Sequence, residues 1–399
     1  MRNKGKYDVI VVGAGAIGAA IALECQSRGA SVAIVEKQHP AAGASGAAGG
    51  MLAASSEHFA HPDLQRLALS SRSLYPALAQ RLHDCTGIDI GLRSEGFLLP
   101  IEHAATTSSN SEHISSAYSE SDVYSETSQQ QELEWWDSQR LAVVEPYIRA
   151  DRGMMYNRHE MQLIPRLLTE ALVGAAISTG VAMYRDHDVI RLLREPGHQG
   201  MVRGVVTDDA VLYGEHVVLA SGLGTARLLT AEHWRLPFIP VKGELIELRT
   251  PTPWLHHTVY GEQVYLIPKH GHRIWVGATS KPGQRDTTFT AGAVMELLMK
   301  GQRYIPRLAE GELLRCWAGV RPGTPDELPY LGAVPQMPRL WIASGHYRNG
   351  ILLAAGTAKW MADGIAGRGN AAIPSCFHPE RALHSLKDMN TPSVPIATS

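Results

Sequence analysis

Residues 7–37 read YDVIVVGAGAIGAAIALECQSRGASVAIVEK. The run VIVV at 9–12 is continuously apolar, as a parallel strand buried on both faces requires. Gly13, Gly15 and Gly18 follow as G-x-G-x-x-G. The first glycine allows a tight turn, the second lets backbone approach a pyrophosphate at a helix N-terminus, and the third lets that helix pack on the strand. Ile17, Ala20, Ile21 and Leu23 carry the helical pattern until Gly29, and SVAIVE forms a second strand. Glu36 closes that strand about 20 residues on, where a carboxylate accepts bonds from ribose hydroxyls. Strand, turn, helix, strand and terminal Glu together predict dinucleotide binding. The three glycines alone are a weak signal, and a ligand-free glycine turn is the alternative.

Composition narrows the function classes. A chain of 399 residues with net charge -2 is long enough for two or three domains and offers no basic surface for nucleic acid or anionic membrane. Cys25, Cys85, Cys316 and Cys376 are widely spaced without a CxxC pair, which argues for reduced thiols and against a disulfide framework or metal site. The N-terminus resembles a secretory leader, but Asp8 and the three glycines break its apolar run. No other stretch reaches the ~18 apolar residues of a spanning helix. The expectation is a cytoplasmic chain without nucleic-acid or membrane partners.

Helix-bearing α/β units flank a strand-rich middle. IPRLLTEALVGAAISTGVAMY reads as helix then strand, and EHVVLASGLGTARLL as strand, glycine turn and helix. VKGELIELR, HTVYGEQVYLIP and RIWVGAT read as strands, and GIDIGLRSEGFLLPI as two short ones. The predicted fold class is α/β: a Rossmann-like parallel-sheet domain assembled from 1–85, 150–230 and 325–370. An α+β domain with a largely antiparallel sheet is inserted at 86–149 and 231–324. The Ser/Thr/Glu-rich segment 104–131 reads as a mobile insertion, and 371–399 as a fraying C-terminal tail.

Residues 315–332, RCWAGVRPGTPDELPYLG, place Arg321 at the end of a small apolar run. A guanidinium keeps its charge, so burial requires an anion. Asp326 and Glu327 are candidates, and so is the carboxylate of a ligand.

The stretches VIVVGAGAIG, GAAGGML, VVLASG, PVKGE, YLIPK, VGAT with KPG, WAGVRPGTPDELPYLG and GHYRNGILLA run from 9 to 354 and carry a resemblance that extends from 8 to about 367. Together they resemble the D-amino acid oxidase superfamily of FAD amine oxidases, and within it the glycine oxidase branch. The resemblance implies non-covalent FAD, with Ala16, Ile17, Glu36 and Lys37 along its AMP half. Ala44 and Ser45 would approach the phosphates, and Gly49, Gly50 and Met51 the isoalloxazine. Val189 would hold the adenine through its backbone, and Gly222, in the second glycine turn, counts among the cofactor contacts. His346, Tyr347, Arg348, Asn349, Gly350, Ile351 and Leu352 would wrap the pyrimidine edge at a helix N-terminus.

The same resemblance implies a substrate carboxylate on Arg321 and Tyr265, with Arg348 nearby and Gly50, Met51, Ala53 and the loop around Gln263 limiting size. The implied reaction is oxidative deamination of glycine, sarcosine or D-alanine, by hydride transfer to flavin N5 without an acid/base side chain. Oxygen would return as hydrogen peroxide, the imine would serve thiamine thiazole formation, and the assembly would be a homotetramer. Two departures bear on this. A histidine that relatives carry two residues before the tyrosine is Gln263 here, and the position for covalent flavin attachment is Gly319, with Cys316 three residues away. A D-amino acid dehydrogenase using another electron acceptor shares every one of these motifs. A non-catalytic flavoprotein subunit is a third reading, against which a paired Arg321 and Tyr265 argue.

Overall fold

The computed structural model describes residues 2–101, 133–149, 151, 153–195 and 200–385. The segment 104–131 and residues 386–399 of the tail lie outside the described residues. Two large sheets organise the chain. The first runs in the order Tyr330–Ala333, Leu340–Ser344, Ala210–Leu219, Arg2–Val12, Val32–Glu36, Ala182–Arg185. From Leu340–Ser344 to Ala182–Arg185 the pairing is parallel. An antiparallel pair, Val189–Arg194 and Val202–Thr207, joins through Ala210–Leu219.

Period-2 alternation explains the uninterrupted apolar run. Val9 and Val11 face a core shared with helices Ala16–Ser27, Pro62–Thr86, Pro165–Ser178 and Gly350–Asp363. Ile10 and Val12 face a second core with Val205, Leu212 and Leu228. Both faces of the first strand are therefore sealed, and only its C-terminal end, at Gly13, opens to a ligand.

The second sheet runs Lys281–Pro282, Ile239–Arg249, Arg273–Gly277, Tyr265–Lys269, Thr258–Tyr260, Phe97–Pro100, Met154–Asn157, Glu134–Trp136, with Glu312–Gly323 on the other edge of Ile239–Arg249. Its ladders are antiparallel except that between Thr258–Tyr260 and Phe97–Pro100. Ile246, Leu248, Leu266, Ile274 and Val276 point into its own core with Leu297 from helix Ala291–Gly301. The opposite face carries Tyr265, Gly277, Leu245 and Trp317 in one row, and beside them Gly243, Gly319 and Arg321.

Three local readings differ from expectation. Of GIDIGLRSEGFLLPI, only Phe97–Pro100 is a strand; Arg93 forms an isolated bridge to Gln162. Strand Met154–Asn157 belongs to the second sheet, although 150–230 was assigned to the dinucleotide domain. Residues 371–385 do not fray: short turns bury Ile373 and Phe377, and His384–Ser385 pairs with Trp234–Arg235. These apolar anchors are too sparse to register as periodicity in a Pro- and Ser-rich context. Among the described residues no helix is long and apolar enough to cross a membrane.

Candidate functional site

A cleft of about 700 Å³ opens between the two sheets, running from Glu36 and Lys37 past Gly13 and Gly15 to Tyr265, Arg321 and Arg348. Its volume suits an extended cofactor with a small ligand at one end. At the first end, Gly13 adopts φ +109°, and a Cβ there would stand 2.7 Å from the Ala220 carbonyl oxygen. Gly18 presses helix on turn: its Cβ would sit 2.0 Å from the Gly13 oxygen. Gly15 caps helix Ala16–Ser27 with no side chain of its own for the first-turn amides, so those beyond Ala16 remain a ready anion site. Ser45 Oγ accepts from the Ala16 amide at 3.0 Å, joining the short helix Ala44–Ala47 to this end. Glu36 accepts from the amides of Ala14 and Gln38, at 2.8 and 2.9 Å, so its carboxylate is fixed at the rim.

Most of the residues named from sequence reach this cleft. Gly13, Gly15, Ile17, Glu36, Lys37, Ala44, Ser45, Gly49, Gly50, Met51, Ala53, Val189 and Gly222 line it, as do Tyr265, Arg321 and His346 to Ile351. Ala16, Gly18 and Leu352 do not. Ala16 and Leu352 are buried in the helix-side core, and Gly18 serves the helix–turn contact. Gln263 is exposed and also stands away from the lining.

At the far end Arg321 lies flat over Gly243. A Cβ on Gly243 would fall 2.4 Å from Nη2 and 2.5 Å from Nη1. Arg321 reaches the Thr279 carbonyl only at 3.4 Å, and among the described residues no carboxylate pairs with it. The internal candidates are otherwise engaged: Asp326 pairs with Arg381 at 2.7 Å, and Glu327 is exposed. Tyr265 stands beside Arg321. Burial pushes its phenol up against the pull of the Arg321 and Arg348 charges, so it is a hydrogen-bond donor at neutral pH.

Arg348 does have a protein partner. Its Nε lies 3.3 Å from Glu57 Oε1, and Glu57 also accepts from the Tyr260 hydroxyl. Glu57 in turn sits on a backbone held from below. Glu160, fully buried, accepts from the Ser55 and Ser56 amides, each at 2.7 Å, and pairs with Arg72 at 2.6 Å. Gly243, Glu57, Arg72 and Glu160 were not singled out from sequence. Only Gly243 carried a signal, since a glycine inside a strand pattern marks a close approach.

His346 is buried and bonded to Thr357 Oγ1 at 3.2 Å; burial pushes it down to about 3. It is a neutral scaffold residue, not an acid or base for neutral-pH chemistry. Between about 3 and its ordinary value of 6.5, the unfolded chain binds the extra proton, so folding stability falls as pH is lowered through that window. His346→Gln is expected to flatten the melting temperature between about pH 4 and 6.5, and parallel curves for the two proteins would refute this assignment.

Comparison with known proteins agrees with this geometry. Residues 8–364 match the family model DAO, described as FAD dependent oxidoreductase. The chain is 39% identical to glycine oxidase of Geobacillus kaustophilus, over 90% of this chain and 92% of that protein. It is 34% identical to the bifunctional protein ThiO/ThiG of Trichormus variabilis, over 94% of this chain but 55% of that one. The crystal structure of the Geobacillus kaustophilus glycine oxidase superposes with TM-score 0.82 at 36% identity, covering 94% of this chain and 98% of the other.

Proposed function

The chain belongs to the DAO family of FAD-dependent oxidoreductases, and from that premise we propose that it is an amino acid oxidase of the glycine oxidase type. The observation that carries this reading is the Arg321 guanidinium, laid over Gly243 beside the Tyr265 hydroxyl and, among the described residues, without a carboxylate partner. A planar fork and a neutral phenol make a three-point receptor for a substrate carboxylate. The described residues suit FAD. The bare first turn at Gly15 and the tight turn at Gly13 form a cradle that a Cβ would fill, and the cleft continues from there to the carboxylate receptor.

Bound FAD supplies the two-electron acceptor for oxidation of the substrate Cα–H and, in an oxidase, passes those electrons to oxygen as peroxide. Arg321 and Tyr265 hold the carboxylate and so orient Cα. Met51, Ala53 and the backbone of Gly49 and Gly50 bound the space for a side chain, which favours glycine, sarcosine and D-alanine. Such a pocket separates substrates differing by one methylene by only about 1–3 kcal/mol, so all three are expected to react. No proton need be taken from Cα by a side chain: His346 is buried and neutral, and Glu57 is held by Tyr260 and Arg348.

Water then converts the imine to glyoxylate and ammonia. The likeness to ThiO/ThiG supports delivery of the imine to thiamine thiazole biosynthesis. The same reading carries a cytoplasmic homotetramer, which light scattering measures.

The decisive experiment is anaerobic addition of glycine to the flavoprotein. Bleaching of the flavin absorbance is the expected result, and an unchanged spectrum would refute the assignment. One peroxide per turnover in air separates the oxidase from a D-amino acid dehydrogenase, which would release little. With Gly319 rather than a cysteine at the attachment position, and Cys316 three residues away, FAD is non-covalent in this reading. Acid precipitation is expected to leave yellow FAD in the supernatant, and colour retained in the pellet would contradict it.

A further inference from the structure

Lys269 is a buried lysine without a salt bridge among the described residues, and the chemistry above leaves it without a role. It is 8% exposed, and among the described residues no carboxylate pairs with it. Its Nζ instead faces three oxygens: Gln162 Oε1 at 2.5 Å, the Leu163 carbonyl at 2.9 Å and the Gly49 carbonyl at 3.4 Å. An ammonium has three N–H donors, and three acceptors surround it. The Trp275 ring closes a further side, its centroid 4.6 Å from Nζ. Burial, helped by the Arg93 charge, pulls the lysine well below its ordinary range, and the Glu247 carboxylate opposes that pull; three facing acceptors match the three donors of the ammonium form.

The position of this cage matters more than its strength. Residues 265, 267 and 269 share one face of strand Tyr265–Lys269 by period-2 alternation. All three meet the Gly49–Gly50 backbone or its partner. A Cβ on Gly49 would stand 3.0 Å from Tyr265 Oη and 3.2 Å from Ile267 Cδ1, while Lys269 bonds the Gly49 carbonyl itself. Gly50 is locked to the same cage: its carbonyl accepts from the Leu163 amide at 2.9 Å, and its Cβ would lie 2.1 Å from the Leu163 oxygen.

We propose that Lys269 is a positioning residue. It latches the Tyr265 strand to the Gly49–Met51 backbone, and thereby fixes the Tyr265 hydroxyl relative to the flavin that this backbone adjoins. This rests on the reading of the site as an FAD-dependent amino acid oxidase. Lys269 touches neither substrate nor cofactor; it sets the spacing between the groups that do.

The test uses the FAD-loaded protein and acetate, a carboxylate without an oxidisable amine, with binding read from the flavin absorbance change. K269M keeps the stem and removes the donors. It is expected to weaken acetate binding and raise KM for glycine by about tenfold each, the scale of one charged hydrogen bond's geometry lost, with a smaller change in kcat. K269R restores donors and charge and is expected to recover most of the loss. Should K269M fail to retain FAD, Gln162→Met removes one acceptor only, and about a threefold weakening is expected.

A purely structural lysine would lower the melting temperature and leave acetate binding within about twofold of the parent in either variant, and that result overturns the proposal. The oxidase reading fails by a different signal: glycine leaving the parent flavin oxidised under nitrogen while acetate still perturbs its spectrum.

Discussion

Replacing Arg321 by alanine is expected to raise KM for glycine by roughly two to three powers of ten, because breaking one half of a buried ion pair costs about 3–5 kcal/mol. Arg348, which also lies close enough to act on Tyr265, is engaged by Glu57 at 3.3 Å and is not free to take its place. Asp326 is held by Arg381 on the far side of the proline turn, so removing Arg321 frees no charge that would compensate. The FAD half of the cleft lies at Gly13 to Glu36, so the variant should still purify yellow. A KM within a factor of two or three of the parent would remove the carboxylate role from Arg321 altogether.

Gly243→Ala is expected to act on the same step from the opposite strand. The new methyl would overlap Nη2, Nη1 and Cζ of Arg321, at 2.4, 2.5 and 2.6 Å. These atoms are the free end of a long side chain, so the arginine moves before the sheet does. Overpacking of this kind costs about 1–3 kcal/mol, and here the cost falls on the arginine's pose, raising KM for glycine by about five- to 150-fold. Melting temperature and FAD content should stay near those of the parent. Loss of stability with an unchanged KM would show that the backbone yields instead, and that Arg321 keeps its place.

The dinucleotide half was legible because its physics is local. A tight turn, a bare helix N-terminus and a buried parallel strand each impose residue types on a few consecutive positions, and residues 7–37 satisfy all of them. The substrate half was legible mainly through resemblance. Arg321 by itself fitted a salt bridge to Asp326 as well as a ligand, and what engages Asp326 instead is Arg381, 55 positions away and out of reach of any local pattern.

Glu57, Glu160 and Lys269 escaped notice for a related reason. Each works through partners about 100 or more positions away in sequence, such as Ser55 with Glu160 and Gln162 with Lys269. Residues 371–385 do not follow the fraying that composition implies, because two apolar side chains, Ile373 and Phe377, pin them. Composition reports averages, and anchoring depends on individuals.

The long ladder between Ile239–Arg249 and Glu312–Gly323 sets Val241 opposite Arg321 and Gly243 opposite Gly319. Side chains alternate along a strand, so sliding these strands by one residue would turn Arg321 away from the cleft and present a neighbour in its place. None of the pairing around Ala16 to Glu36 involves this ladder. A misregistered molecule could therefore be yellow, compact and blind to its substrate. Recognition of the carboxylate thus doubles as proof-reading of assembly: among flavin-loaded molecules, response to glycine counts those whose strands have paired correctly.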